Sequence, residues 1–435
     1  MVVNYGSKKF GVLFKMFLFL QISFFISSCT SNVEKLTPDE EIRMPQERTV
    51  LKIWMRGDPV NALGSTFIED VSVYEKAHPN VKIYYEFIDY RDVENKWNTA
   101  LAGGNSPDIF EIGIINLAGR ANLGQYEPLD AYINDWPDKD DIYQSFYKLG
   151  SYKNKIYGLA YMPAPDVFAY RKDYFQEAGF NPEHAPGNWD ELKQYAAKLV
   201  KTKGDQVVRA GFDIPRENGE FWFEIFSRQN GNAIVDEANE IPIFDQPSAV
   251  EAIHYLIGLL PYSLPYNDAK PQSHPFVNGL SAMTYISPYR IQDMLKKDPA
   301  LKQKIGIVSN VPGKYPATFN GMRFLTISSK SKYKEEAWDF IQFMMSKERM
   351  RNRMIKTKIP STRKSLKDEY IRLDPDFNGA IIEAMEIGEG RPNVTWSPLY
   401  EKYARQGYEE AIFQIKPAEK ALAEAVQKLQ QEIGK

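Results

Sequence analysis

Cys29 is the only cysteine in 435 residues, so no intramolecular disulfide and no cysteine cluster for zinc can form. It follows the apolar run Met16 to Ile26, which Lys8 and Lys9 precede, and Ile26-Ser27-Ser28 puts small residues directly before it. That order reads as a secretory signal over residues 1–28 ending at an acylation site, with the Cys29 thiol carrying lipid. The alternative is a buried cysteine packed as a small hydrophobe. The run is shorter than the roughly 20 apolar residues of a bilayer-crossing helix, and polar Thr30-Ser31-Asn32 follows it. His78, His184, His254 and His274 lack metal-ligand spacing, so neither a metal nor another cofactor is expected. Glu111 and Asp166 can be imagined as the carboxylate pair of a secreted glycoside hydrolase, about 5 to 10 Å apart across a sugar bond. No rhythm of eight βα units surrounds them, and only the abundance of carboxylates suggests a pair.

Removing residues 1–28 takes away Lys8, Lys9 and Lys15 and no acids, which moves the formal net charge from -3 to -6. Nucleic acid is an unsuitable partner on charge alone. With 43% hydrophobic and 13% aromatic residues, the chain can bury a large core and divides into two domains by length. Residues 29–48 hold Pro38 and Pro45 and no apolar period, so they read as a flexible tether ahead of the folded body.

The elements that must position any site begin with the β-rich run Val50 to Trp54. Phe67, Ile68, Val71 and Tyr74 then fall at helical spacing before a break at His78-Pro79-Asn80. Val81, Ile83, Tyr85 and Phe87 alternate with Lys82, Tyr84 and Glu86, as in a half-exposed strand. Val93, Trp97, Ala100 and Leu101 share a helical face that Gly103-Gly104 stops, and Pro107 to Ile112 gives another strand. This βαβαβ unit predicts an α/β fold with a mostly parallel sheet and a crevice beyond the carboxyl ends of its strands, where the loops after Trp54 and Ile112 fall. Asn188 with Glu191 three residues on signals a helix start. A strand near Leu325 to Ser328, a helix bearing Ala337, Phe340, Ile341 and Met344, and a final helix bearing Leu422, Val426, Leu429 and Ile433 complete the pattern.

The order of motifs resembles the maltose-binding type of extracellular solute-binding proteins, the carbohydrate receptors of ABC importers, over nearly the whole mature chain. Tyr74 to Ile83 is similar to the family's "FEKxxPNIKV" step, Gly103 to Phe110 to its "AGxxPDVF" element, and Ile156 to Tyr161 to its "YGLPY" crossing. Ala169 to Phe175 resembles "LYYNKDLF", Phe276 to Met283 resembles "FxxGKAAM", and Phe319 to Ile327 stands where the family returns through a glycine to a strand. The resemblance implies two α/β lobes of the periplasmic-binding-protein type II fold, joined by a hinge and closing on ligand in the cleft between them. It puts residues 49–156 and 305–357 in one lobe and 157–304 and 358–435 in the other. It also implies a monomer, held at the extracytoplasmic face of the cell membrane by Cys29, that delivers a mono- or oligosaccharide to a permease. A same-fold receptor serving a membrane sensor is the other role open to it.

A sugar offers flat C–H faces and a ring of hydroxyls, so its receptor needs aromatic platforms and groups able to donate and accept. By the resemblance, Arg56 and Asp58 lie in a cleft loop, with a surface ion pair as the alternative for Arg56. Glu111 and Asn116 flank the end of the next strand, where Asn116 also suits a helix cap, and Asp166 lies just past a crossing. Trp222, between Phe221 and Phe223, could stack on a sugar or fill the core. Tyr285 and Tyr289 fall in Ala282 to Tyr289, similar to "AMxxxGxW", which makes Tyr289 the counterpart of the family's platform aromatic. Ser287 replaces the usual glycine there, and tyrosine replaces tryptophan. Gly321 and Arg323 sit at the return crossing, and Trp396 stands near the cleft or under the C-terminal helices. Two cleft arginines leave a uronate as open as a neutral sugar.

Overall fold

The structure, a computed structural model, describes residues 48–89, 92–265 and 274–434; the acylation motif at Cys29 lies outside them. The strands are β1 (Thr49–Arg56), β2 (Val81–Ile88), β3 (Ile109–Gly113), the hairpin β4 (Ser151–Tyr152) and β5 (Lys155–Ile156), β6 (Leu159–Pro165), β7 (Val167–Arg171), β8 (Lys201–Lys203), β9 (Gln206–Phe212), the hairpin β10 (Val235–Asp236) and β11 (Ile241–Pro242), β12 (Ser281–Ile286), β13 (Ile305–Val308), β14 (Thr318–Ile327) and β15 (Gly388–Glu389). They build two main sheets. The first has the order β15-β14-β3-β1-β2, with β6 also paired to β14, and the second runs β13-β7-β12-β9-β8.

The opening βαβαβ unit forms as its alternation demands. Leu51, Ile53 and Met55 of β1 are buried on one face, and β1 pairs in parallel with both β2 and β3. Trp97, from the helix between β2 and β3, stacks on Phe110 of β3 at 4.1 Å, and both rings are removed from water. Each such side chain contributes about 1.5–3 kcal/mol of burial. Asn188 caps the helix Trp189–Leu199 by accepting from Glu191 N at 2.9 Å, while the Glu191 carboxylate accepts from Gly187 N at 2.8 Å. The first satisfies a backbone donor the helix start would otherwise leave open, and the second ties the residue before the cap to the first turn.

Beyond that unit the sheets are mixed, where mostly parallel sheets were expected. β14 runs antiparallel to β3 and β6, and in the second sheet β7 runs antiparallel to both β12 and β13. The edges expected at Ile156/Tyr157 and at Ile305 also shift. β6 still belongs to the first sheet, so the chain crosses after Pro165, and β13 still belongs to the second, so the return falls between Val308 and Thr318. The C-terminal part divides as well. Tyr370, Ile381 and Met385 join the core beneath the first sheet, whereas Tyr400, Tyr408, Leu422 and Leu429 join the core of the second.

Three segments therefore pass between the sheets: Asp166 alone, residues 309–317, and residues 390–396. Fully buried Asn320 ties the first-sheet side of this junction. Its Oδ1 accepts from Ala164 N at 3.2 Å and its Nδ2 donates to Met385 O at 3.1 Å. Replacing it leaves a strand amide and a helix carbonyl without partners, so Asn320→Ala should lower unfolding stability by about 1–3 kcal/mol, read as a fall in the urea midpoint.

Candidate functional site

The loop after β1 is shaped by two glycines. Gly57 has φ 111°, open to glycine and strained for other residues, and a Cβ on Gly64 would collide with the Asp58 carbonyl. Asn61 accepts from Gly64 N at 2.9 Å and caps the helix Ala62–Ala77. This backbone presents Asp58 to solvent, with its Oδ1 accepting from Val60 N at 2.9 Å.

Arg56, Glu111 and Arg323, proposed from sequence as ligand contacts, come together on β1, β3 and β14. Glu111 accepts from Arg56 N at 3.2 Å, from Arg56 Nε at 3.4 Å and from Arg323 Nη1 at 2.9 Å, and its side chain is 0% exposed. Arg323 Nη1 also donates to the Arg56 carbonyl at 3.2 Å. A Cβ at Gly113 would lie 2.9 Å from Arg56 Nη1, so the glycine makes room for the guanidinium over the end of β3. Burial pushes the Glu111 carboxyl up against the pull of Arg56, and burial together with the Arg56 charge brings Arg323 down to about 9. Glu111 is thus an internal counter-ion with no exposed surface to offer a ligand, against the sequence reading, and its partner Arg56 is part-buried.

On the second sheet, Tyr289 opens the helix Pro288–Lys297 and is 45% exposed. Burial raises its hydroxyl pKa first, then Asp293, with a contribution from Asp58 in the first-sheet loop. Asp166 sits between the sheets, where burial pushes its carboxyl up to about 7 against the pull of Arg290. Asp213, directly after β9, is pushed up to about 6 by burial and held by Ser263 Oγ at 3.4 Å. Trp222 is half-buried, and its Nε1 has no partner among the described residues. Its neighbour Phe221 meets Phe319 edge-on at 4.7 Å and carries the Arg391 guanidinium 4.1 Å from its centroid.

Other sequence candidates fall elsewhere. Tyr285 is 0% exposed, with its hydroxyl accepting from Gln229 Nε2 at 2.9 Å and from Val311 N at 3.1 Å, so it is a core residue of the second lobe. Phe223 is likewise buried in that core. Trp396 is 6% exposed under the C-terminal helices, its Nε1 without a partner among the described residues. A Cβ at Gly321 would make only ordinary contacts, so no close approach requires the glycine. Asn116 stands at a helix start without a side-chain cap bond. Sequence reasoning missed Asp213, Arg290, Phe319 and Arg391. Asp213 alone carried a local signal, a carboxylate ending the run Val207 to Phe212.

A groove of about 440 Å³ between the helix Ala62–Ala77 and the edge strand β2, lined by Ile68, Val71, Tyr85 and neighbours, lies apart from these groups. The polar and aromatic groups at the ends of β1, β3 and β12 and at the crossing, and not size, mark the candidate site. Because Glu111 balances two guanidiniums, Glu111→Ala should cost about 3–5 kcal/mol of stability, measured by denaturant unfolding.

Residues 57–350 match the family described as bacterial extracellular solute-binding protein. The chain is 25% identical over 294 residues to a putative binding protein of Brucella abortus, covering 66% of this chain and 69% of that protein. It is 22% identical over 312 residues to the maltotriose-binding protein of Pyrococcus abyssi, covering 69% and 64%. The structure of CpMnBP1 with mannotriose bound superposes with a TM-score of 0.75 at 26% identity, over 88% of this chain and 100% of that one. These relatives are binding proteins and not enzymes. With more than half of its length inside the family match and two sheets joined by three crossings, the chain belongs to the bacterial extracellular solute-binding proteins.

Proposed function

We propose that this chain captures a mono- or oligosaccharide between its two lobes and delivers it to the permease of an ABC importer, held at the outer face of the cell membrane by an acylated Cys29. The observation that carries the reading is an exposed aromatic, Tyr289, at the start of the helix that follows β12, with Asp58 exposed on the loop after β1 and Asp166 at the crossing between the sheets. An aromatic face takes sugar C–H groups, and carboxyls serve the hydroxyls around the ring. The maltotriose-binding relative and the mannotriose-bound structure support a carbohydrate cargo. A neutral sugar suits the site better than a uronate, because Arg56 and Arg323 are both engaged by Glu111.

The test is a thermal-shift screen of the folded body against maltotriose, mannotriose, mannobiose, mannitol and galacturonate, with product analysis of each hit. A ligand bound only by the folded state raises the melting temperature. A neutral sugar should give the largest shift and be recovered intact, whereas recovery of cleaved sugar would restore the hydrolase reading. Tyr289→Ala should weaken that sugar's binding about tenfold or more, the loss of a stacking contact of ~1.5 kcal/mol, and leave the ligand-free melting temperature in place. In cells, Cys29→Ala should move the protein from the membrane fraction to the soluble extracytoplasmic fraction.

A further inference from the structure

Asp166 is the one residue between β6, which ends at Pro165, and β7, which begins at Val167, so it lies where the chain leaves one sheet for the other. Its backbone is fixed on both sides. The amide donates to Phe319 O at 2.8 Å, and the carbonyl accepts from Thr318 Oγ1 at 2.8 Å. Both partners belong to the start of β14, so the first sheet holds the Asp166 backbone in place.

The side chain is served differently. No hydrogen bond or ion pair reaches the carboxyl among the described residues, and Arg290 from the helix Pro288–Lys297 is the one charged group whose field bears on it. The flanking strands are apolar on either side, with Ala164 and Pro165 before it and Val167 and Phe168 after it, and β14 contributes Thr318 and Phe319. His274, which shares the field of Arg290, is brought down to about 4 by burial and that charge, so it is neutral above that range. A carboxylate in this position keeps its charge through water and the field of Arg290. Closing the lobes on a ligand removes water, and an ionised group stripped of water without donors is strongly disfavoured. A neutral carboxylic acid loses far less and offers one O–H donor beside one acceptor oxygen, a set that matches a sugar hydroxyl or ring oxygen.

We propose that Asp166 meets the sugar as a neutral carboxylic acid, so that capture by a molecule whose Asp166 is ionised takes up one proton from solution. The inference rests on the sugar-binding reading given above. Burial already pushes this carboxyl up to about 7, and closure over a ligand raises it further. When the bound state holds a proton that the free state has lost, affinity is highest below that range and falls as pH rises through it.

The test is titration calorimetry of the wild-type body with maltotriose and mannotriose from pH 5.5 to 8.5, repeated at pH 8 in two buffers of different ionisation enthalpy. The expected result is uptake of about one proton per sugar at pH 8, with affinity falling about tenfold per pH unit above 7 until the bound-state group also ionises. In Asp166→Asn, whose amide cannot titrate, the slope should vanish. Proton release, no proton exchange in wild type, or an unchanged slope in Asp166→Asn each overturns the proposal. A sugar that binds with a flat profile removes the proton linkage and leaves sugar capture standing, whereas no heat from either sugar counts against both.

Discussion

Three stretches of chain pass between the two sheets, and backbone groups beside them would be stranded by burial unless the strands and side chains around the junction serve them. They do. Asp166 N donates to Phe319 O, Thr318 Oγ1 donates to Asp166 O, and the Asn320 amide links Ala164 to Met385. Farther along, Arg228 Nη2 donates to Gly390 O at 2.7 Å, which fastens the third crossing to the helix Glu220–Gln229 of the second lobe. The core is divided between two clusters, the first of which also takes in Val167, Ala169, Ile286 and Ile305 of the second sheet, and the passage between the sheets is cross-linked by hydrogen bonds. That arrangement confines bending to few residues and fixes where a ligand-facing group on the junction can point.

Buried charge is concentrated beside this passage. Glu220 and Glu224, one helical turn apart and both 0% exposed, receive Arg391 at 3.2 and 3.1 Å, and Arg405 reaches Glu220 at 2.9 Å. A buried ionic cluster is a poor source of net stability, because desolvation consumes most of the Coulombic gain. Its effect is geometric. Arg391 comes from the third crossing and lies over Phe221, which abuts Phe319 at the start of β14, the strand whose backbone receives the Asp166 amide. Glu111 does the same on the first sheet by holding Arg56 and Arg323 together at the ends of β1 and β3.

Much of the fold was legible because its signals are local. The β-rich run Val50 to Trp54, the breaks at His78-Pro79 and Gly103-Gly104, and the Asn188 cap each report a short-range preference that tertiary packing did not override. The site was less so. All six residues of β12 are buried, so alternation carries no information about which face meets the cleft, and Tyr285 was placed there when it belongs to the core. Tyr289, just past that strand, is the exposed ring. Glu111 reads in sequence as an available acid because its two arginines are far away along the chain. Arg290 and Arg391 gain their meaning only from Asp166 and from Phe221, and the antiparallel runs of β7 and β13 leave no trace in composition, which is why the lobe edges were drawn too early.

Lobe closure around a carbohydrate is the central claim, and small-angle X-ray scattering addresses it most directly. The folded body would be measured alone and then saturated with whichever of maltotriose or mannotriose calorimetry shows to bind. The two-lobed receptor account predicts a smaller radius of gyration and a shorter maximum dimension with sugar, both lost in Tyr289→Ala at the same sugar concentration. An unchanged scattering profile at confirmed saturation would contradict it, because the ligand would then sit on a surface that the lobes do not share.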